Sequence, residues 1–477
     1  MKKKFKEARL YFILIYTLLT IGLVGQLILS NMIPFKYMAV VIPVLVLIYI
    51  GLFVLQYKPK ISKVNRALGK VLIVFMCIFL LVGNLYLNKT TNLFGHIGGA
   101  DGSLDVEVSI VVLKDSKAKD INDLKGLSFG EGTIGDISFN KNAIDDLSKD
   151  LNETIITTKY DNYSSFGDAL YNGEVDAIIL NEGMRQMFED NHPNFNKETK
   201  VIKTYNYKSE AVTSTKSVDV TEESFIVYIT GIDNYGDISR VGRSDVNKMA
   251  VVNPITKKIL LIDVPRDYYV KQTCQDNLLD KLTHTGIFGP NCTVDSMSNF
   301  MGVDINYYVR VNFSGITNIV DALGGVDVHS EVGFTTDGGL YTYNAGMNHM
   351  NGASALAFAR ERYNVGGGDD GRIKNQTRVL EAIINKVTST EVITNYMGFL
   401  DAIGGSFQTD MSDSDIKSLV KMQLDDMASW SISSYSLSGT GGTDWTPANG
   451  FNAYVSYPNM DTVTEAQRLI TEIMNEK

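Results

Sequence analysis

The chain has 477 residues, 44% of them apolar, enough for membrane segments and two folded units. Of its 44 basic and 54 acidic residues, the first 100 hold 12 basic and one acidic, Glu7, so the remainder carries 32 and 53. So acidic a remainder argues against nucleic-acid binding, whose nonspecific affinity comes from neutralising phosphates.

Three uncharged apolar runs come first, at residues 10–30, 37–57 and 71–88. At about 1.5 Å per residue the longer two reach roughly 30 Å, the thickness of a bilayer core. Three runs in series do not fit a cleavable signal peptide. Lys2, Lys3, Lys4, Lys6 and Arg9 precede the first run, and Lys58, Lys60, Lys63, Arg66 and Lys70 fill the second turn. The first turn has only Lys36. Positive charge inside predicts a three-span plasma-membrane anchor over residues 1–88, with a cytoplasmic N-terminus and an extracellular C-terminal region.

Residues 89–104, with Gly95, Gly98, Gly99 and Gly102, read as a linker. An accessory α/β unit is expected over 105–207. Its strand-like run starts at Val106. A helix carrying Phe166 and Leu170 follows, stops at Gly173 and leads into a strand ending at Leu180. The stretch 163–180 resembles the loading helix of a two-lobed extracytoplasmic solute-binding protein. The second lobe is missing, so a spacer role is preferred here over ligand binding. Ser/Thr-rich residues 208–223 read as a second linker. From 224 to 477, strands and helices alternate, beginning with the apolar strand 225–232. That pattern predicts an α/β class with a central sheet covered by helices.

Arginines mark the candidate site. Arg360 and Arg362 lie just past a helix end, and in extended chain they point the same way. Arg372 and Gln376 share a face of the next helix, beyond the turn Gly366-Gly367-Gly368. Planar guanidinium forks suit phosphate oxygens. The alternative is a surface network with Glu361, Asp369 and Asp370. Two carboxylates near strand ends, Asp233 and Asp245, suit a hard cation such as Mg²⁺ that also takes phosphate ligands. No Ser-His-Asp or Cys-His arrangement is visible. Cys274 and Cys292 lie in the exported region, where a disulfide is permitted and expected; two buried thiols are the other arrangement.

The motifs G-I-D at 231–233, R-S-D at 243–245, P-R-D at 265–267 and D-K-L at 280–282 occur in order. They are followed by V-D-A-L-G-G-V-D-V at 320–328, G-A-S-A-L-A-F-A-R-E-R at 352–362 and G-R-I-K-N-Q at 371–376. Together they resemble the LytR-CpsA-Psr (LCP) family of cell-envelope proteins. The three spans and accessory unit resemble its capsule-associated branch. The resemblance implies an enzyme, a phosphotransferase moving a glycopolymer from an undecaprenyl-pyrophosphate carrier to peptidoglycan with Mg²⁺. It implies that Arg243, Arg266, Lys281, Arg360, Arg362, Arg372 and Gln376 bind pyrophosphate. Asp245, Arg266, Arg360 and Arg362 would carry catalysis, and Asp233 and Asp245 the metal. Capsular polysaccharide is the expected polymer, and capsule-assembly membrane proteins are expected partners. A non-catalytic lipid-binding regulator and a lipid pyrophosphatase are the competing readings. Asn375 and Asp263 depart from the family pattern, where Arg and a small hydroxyl residue are common.

Overall fold

The computed structural model describes residues 2–31, 33–58, 61–97, 105–133, 137–208, 216–232, 238, 242–389, 392, 399 and 403–477. Three N-terminal helices, α1 (Lys2–Leu29), α2 (Phe35–Tyr57) and α3 (Lys63–Ile97), hold segments long and apolar enough to cross a membrane. With lipid outside, apolar contact gains little, and a polar group can join helices instead. Asn84 of α3 does so, donating to Leu19 O of α1 at 3.0 Å. The helix α3 runs past the expected anchor end at residue 88.

The first sheet has β1 (Asp105–Leu113), β2 (Phe129–Gly132), β3 (Thr157–Tyr160), β4 (Ala177–Asn181) and β5 (Thr199–Lys208), in the order β3-β2-β4-β1-β5. Its interior strand β1 is largely buried on both faces because both are covered. Helix α4 (Ile137–Leu151) packs Ala143 and Leu147 against Val108 and Ile110. Opposite, α5 (Tyr163–Tyr171) and α6 (Arg185–Asn191) pack Phe166, Met187 and Phe188 near Val111 and Ile178. A one-turn helix, α7 (Phe195–Glu198), leads into β5. Gly173 ends the α5 segment at φ 70°, as its sequence position predicts.

The second sheet is six-stranded and mixed. Strands β6 (Phe225–Ile232), β7 (Ser244–Asn253) and β8 (Lys258–Asp263) are antiparallel neighbours. The short strands β9 (Tyr269–Lys271) and β10 (Leu279–Lys281) pair beside it. After α8 (Pro290–Met301), β11 (Tyr307–Asn312) runs parallel to β6, and α9 (Phe313–Ala322) follows. A peripheral ladder joins β12 (Val326–Ser330) to β15 (Gly346–Met350), enclosing the short pair β13 (Phe334–Thr335) and β14 (Thr342–Tyr343). Helices α10 (Gly352–Arg360) and α11 (Asp369–Val387) come next, then edge strand β16 (Phe407–Thr409), α12 (Asp413–Asp426) and opposite edge strand β17 (Ser431–Ser436). A hairpin, β18 (Gly439–Thr446) with β19 (Phe451–Pro458), and α13 (Met460–Asn475) complete the chain.

One face of this sheet packs Met249, Val251 and Leu260 against Met297 of α8 and Val463 and Ala466 of α13. The other packs Val227, Ala250 and Leu261 beside Leu380 and Ile384 of α11. The unit is therefore a sheet between two helical layers, in the predicted α/β class. Three local particulars stand out. The segment starting at Asp280 is strand before it becomes a 3₁₀ turn over Leu282–Phe288. Val387, the last residue of α11, is 38% exposed, while Val379 and Ala382 are buried. The expected Cys274–Cys292 disulfide is present, tying the β9–β10 connection to the first turn of α8.

Candidate active site

A cavity of about 460 Å³ opens where the carboxyl ends of the parallel neighbours β6 and β11 meet α9, α10 and α11. Crevices outside the carboxyl ends of parallel strands are the usual ligand position in α/β folds. The wall is two-toned. Ile229, Val311, Ile316, Leu356, Val379, Leu380 and Ile383 supply apolar surface. Arg243, Asp245, Arg266, Arg360, Arg362, Arg372 and Gln376 supply the polar part.

Local structure explains how these side chains meet. Between β6 and β7 the register slips: Gly231 faces Val246 and Ile232 faces Ser244. Asp245 is the extra residue of this bulge. Bulges re-aim a side chain beside functional sites, and Asp245 becomes the only acidic residue lining the cavity among the described residues. Helix α10 ends at Arg360, with Glu361 extended at its C-cap. Glu361 is buried and accepts from the N–H groups of Arg362, Tyr363 and Asn364, which fixes the chain leaving the helix. Gly366, Gly367 and Gly368 all have positive φ, at 70°, 73° and 57°. Three left-handed residues in succession need glycine, and this turn brings the start of α11 back beside Arg362.

The charge pattern is dense. Asp245 Oδ1 accepts from Thr283 Oγ1 at 2.7 Å, and its Oδ2 lies 3.0 Å from Arg266 Nη1. Burial opposes ionisation of Asp245. Arg266, Arg243, the Thr283 hydroxyl and Arg372 outweigh it and hold the carboxyl below its usual range. Asp369 Oδ1 receives Arg372 Nη2 at 2.7 Å and Arg362 Nη2 at 3.4 Å. Thus two arginines already converge on one carboxylate oxygen, which is part of the surface network considered as the alternative. Burial pushes Arg372 down to about 10, with Asp369 working against that shift. Arg360 lies over the Phe313 ring, 4.1 Å from its centroid. Arg372 Nε is buried without a hydrogen-bond partner among the described residues, and buried Arg266 Nε has only the Asp267 carboxylate, 3.5 Å away. Buried donors without acceptors cost about 1–3 kcal/mol each, and an oxyanion would relieve that cost.

Most of the sequence-selected residues therefore come together. Lys281 stands apart from the cavity wall: its Nζ is 3.6 Å from Asp267 Oδ1, and Asp267 also faces Arg266. Asp233 lies outside the described residues. Among the described residues no group of three His, Cys, Asp or Glu gathers to hold a metal. A cation here would draw most ligands from phosphate and water, with Asp245 as a protein ligand, and that donor set fits Mg²⁺.

Several partners were not selected from the sequence. Thr283 adjoins the D-K-L motif, but its hydrogen bond to Asp245 spans 38 residues. Asp369 could be read only as a surface acid, and Phe313 only as the end of a strand, whereas it starts α9. The family departures also gain a structural account. Asn375 donates to Phe358 O at 3.3 Å, joining α11 to α10. Asp263 is paired with buried Lys248 and accepts from Thr377 and Ser436.

A family model described as the LytR_cpsA_psr family matches residues 192–469. The chain belongs to the LytR_cpsA_psr family. A second model, described as DNA polymerase processivity factor, matches residues 63–180, about a quarter of the chain, and assigns nothing further. Among relatives, the polyisoprenyl-teichoic acid–peptidoglycan teichoic acid transferase TagU of Enterococcus faecalis is 36% identical over 248 residues, covering 50% of this chain and 80% of that protein. The TagU of Bacillus licheniformis is 34% identical over 211 residues, 44% of this chain and 67% of its own length. Among solved structures, B. subtilis TagU is 28% identical, covering 54% of this chain and 98% of its own, with a TM-score of 0.42. TagT bound to LI-WTA is 25% identical, covering 55% and 97%, with a TM-score of 0.44.

Proposed function

We propose that this LCP protein is a membrane-anchored phosphotransferase that moves a glycopolymer from a polyprenyl pyrophosphate to a peptidoglycan hydroxyl. One observation carries the reading: a single cavity joins a five-arginine polar wall to an apolar interior between the sheet and α9–α11. A lipid pyrophosphate has the same two-part chemistry. Its prenyl chain suits the apolar wall and its phosphates suit the guanidinium forks.

In the step proposed, the acceptor hydroxyl oxygen attacks the glycan-bearing phosphorus. The bond from that phosphorus to the bridging oxygen breaks, and polyprenyl monophosphate leaves with the electron pair. The hydroxyl proton goes to solvent. Arg266, Arg360 and Arg362 bind the phosphates and stabilise charge gathering on the departing oxygen. Arg243, Arg372 and Gln376 orient the pyrophosphate, and Lys281 acts from behind through Asp267 and Arg266. The low pKa of Asp245 makes it a poor base and a good charge partner for cations. Mg²⁺, held by Asp245 and Asp233, would neutralise phosphate charge when bound.

The Lys and Arg distribution supports a cytoplasmic N-terminus and an extracellular catalytic region. Contacts at the short turn agree with that side: Lys421 of α12 donates to Asn31 at 2.8 Å, and Lys36 lies 3.5 Å from Asp425. The LCP unit 224–477 would then sit directly on the outer end of the anchor. The three-span architecture favours a capsular polysaccharide donor, whereas the relatives are named for teichoic acid.

The deciding assay gives the purified full chain matched lipid-linked capsular and teichoic donors, with and without peptidoglycan and Mg²⁺. Polymer on peptidoglycan, with release of polyprenyl monophosphate, is expected. Lipid binding without release would leave a regulator. Release that needs only water would leave a pyrophosphatase.

A further inference from the structure

The family match begins at residue 192, yet the preceding unit reaches the site at two points. The first is direct. Arg243 Nε donates to Gln186 Oε1 of α6 at 3.2 Å. The second runs through the 3₁₀ segment Leu282–Phe288. Its Thr283 hydroxyl holds Asp245. Its Gly286 sits on the backbone beside Arg243: a Cβ there would lie 2.4 Å from Ser244 N and 2.6 Å from Gly242 O. Its Ile287, 3% exposed, is buried in the first unit's core with Tyr163, Phe166 and Phe188. The same core takes in Ala448, whose carbonyl accepts from Tyr163 N at 3.3 Å.

Arg243 is therefore gripped from both units. Its backbone rests on Gly286, and its Nε is held by Gln186. Fixing Nε turns the rest of a long, rotatable guanidinium side chain into a preorganised donor. We propose that Gln186 is a positioning residue for Arg243, so that the accessory unit sets the affinity of the site for its pyrophosphate donor. This rests on the pyrophosphate reading given above. It also gives the accessory unit a role beyond that of a spacer.

The test is a double-mutant cycle on the full chain in detergent, with geranylgeranyl pyrophosphate as probe and calorimetry as readout. Gln186→Met keeps the volume and removes the acceptor; Gln186→Ala is the second variant. Each should weaken binding roughly tenfold, the usual scale for a hydrogen bond to a charged group. Melting temperature should stay that of the parent, and neither change should weaken binding further once Arg243→Ala is present. A Gln186 effect of equal size in both backgrounds, or none in either, overturns the proposal. Parent protein that does not bind the probe, or binds it equally well as Arg243→Ala, rejects the pyrophosphate assignment itself and the proposal with it.

Discussion

The first sheet and its helices bury no ionised side chain among the described residues, only polar groups such as Ser109, Asn140 and Thr199. The second sheet buries Lys248, Asp263 and Arg310, and the segments around it bury Asp280, His284, Glu361 and Arg372. Both are covered α/β sheets, so architecture does not explain the difference. Taking charge out of water costs several kcal/mol per ion, and pairs recover it only with good geometry and added hydrogen bonds. The first unit is filled for stability. The second carries charges that stability alone would not select, and two of them, Lys248 and Arg372, line the cavity.

The largest effect should come from breaking a buried pair. Lys248 donates to Asp263 and, at 2.7 Å, to Thr377, just after Gln376 on α11. Lys248→Met strands Asp263 and should cost about 3–5 kcal/mol in denaturant unfolding. Adding Asp263→Leu should restore most of that. The matching change in the first sheet, Ser109→Ala, removes a 2.9 Å contact with Thr204 and should cost only about 1 kcal/mol. Similar losses in both sheets would erase the contrast.

Two changes of about 3 kcal/mol separate chemistry from stability. Arg362→Lys keeps charge and loses the fork that reaches Asp369. Transfer should fall about 100-fold, with unfolding unchanged; near-parental rates would remove Arg362 from catalysis. Arg360→Lys should behave alike. Conversely, Cys274→Ser with Cys292→Ser should lower unfolding stability by about 3 kcal/mol on the chain-entropy estimate. Lipid binding at low temperature should persist, because neither cysteine lines the cavity.

Local pattern carried much of this fold. The apolar run from Phe225 to Ile232 is strand β6, and the double glycine Gly324-Gly325 stops α9 before β12. Arg360, Arg362, Arg372 and Gln376 could be grouped because helix phase and a glycine turn are short-range facts. Pairings across long loops could not. Nothing near Lys248 shows that Thr377, 129 residues on, will accept from it. Gln186 and Arg243 lie on different sheet units, 57 residues apart. Helix α12 was also hidden, since none of its residues is fully buried and its apolar stripe is thin. The Asp245 bulge depends on a register between two strands, which neither strand's own sequence states.

The smallest effect has opposite signs in the two units. Asp410, beside edge strand β16, accepts from Tyr308 N at 2.7 Å, yet burial pushes it up to about 6. A carboxyl raised on folding holds its proton more tightly in the folded chain. Its stabilising contribution is complete below about pH 4, the unfolded value, and is lost as pH rises through 6. The full shift would be worth roughly 2.7 kcal/mol, and partial exposure reduces it to about 1 kcal/mol. Asp410→Asn should therefore be more stable than the parent at pH 7.5 and equal to it at pH 4. In the first unit, Ser128 N–H and its hydroxyl hold Asp176 below the usual range. Its contribution is present above the unfolded value and is lost as pH falls through the folded one. Asp176→Ala should thus be less stable than the parent near neutrality, with the gap closing in acid. Urea midpoints across pH measure both, and two gaps of the same sign would contradict the division between a unit filled for stability and one built around charge.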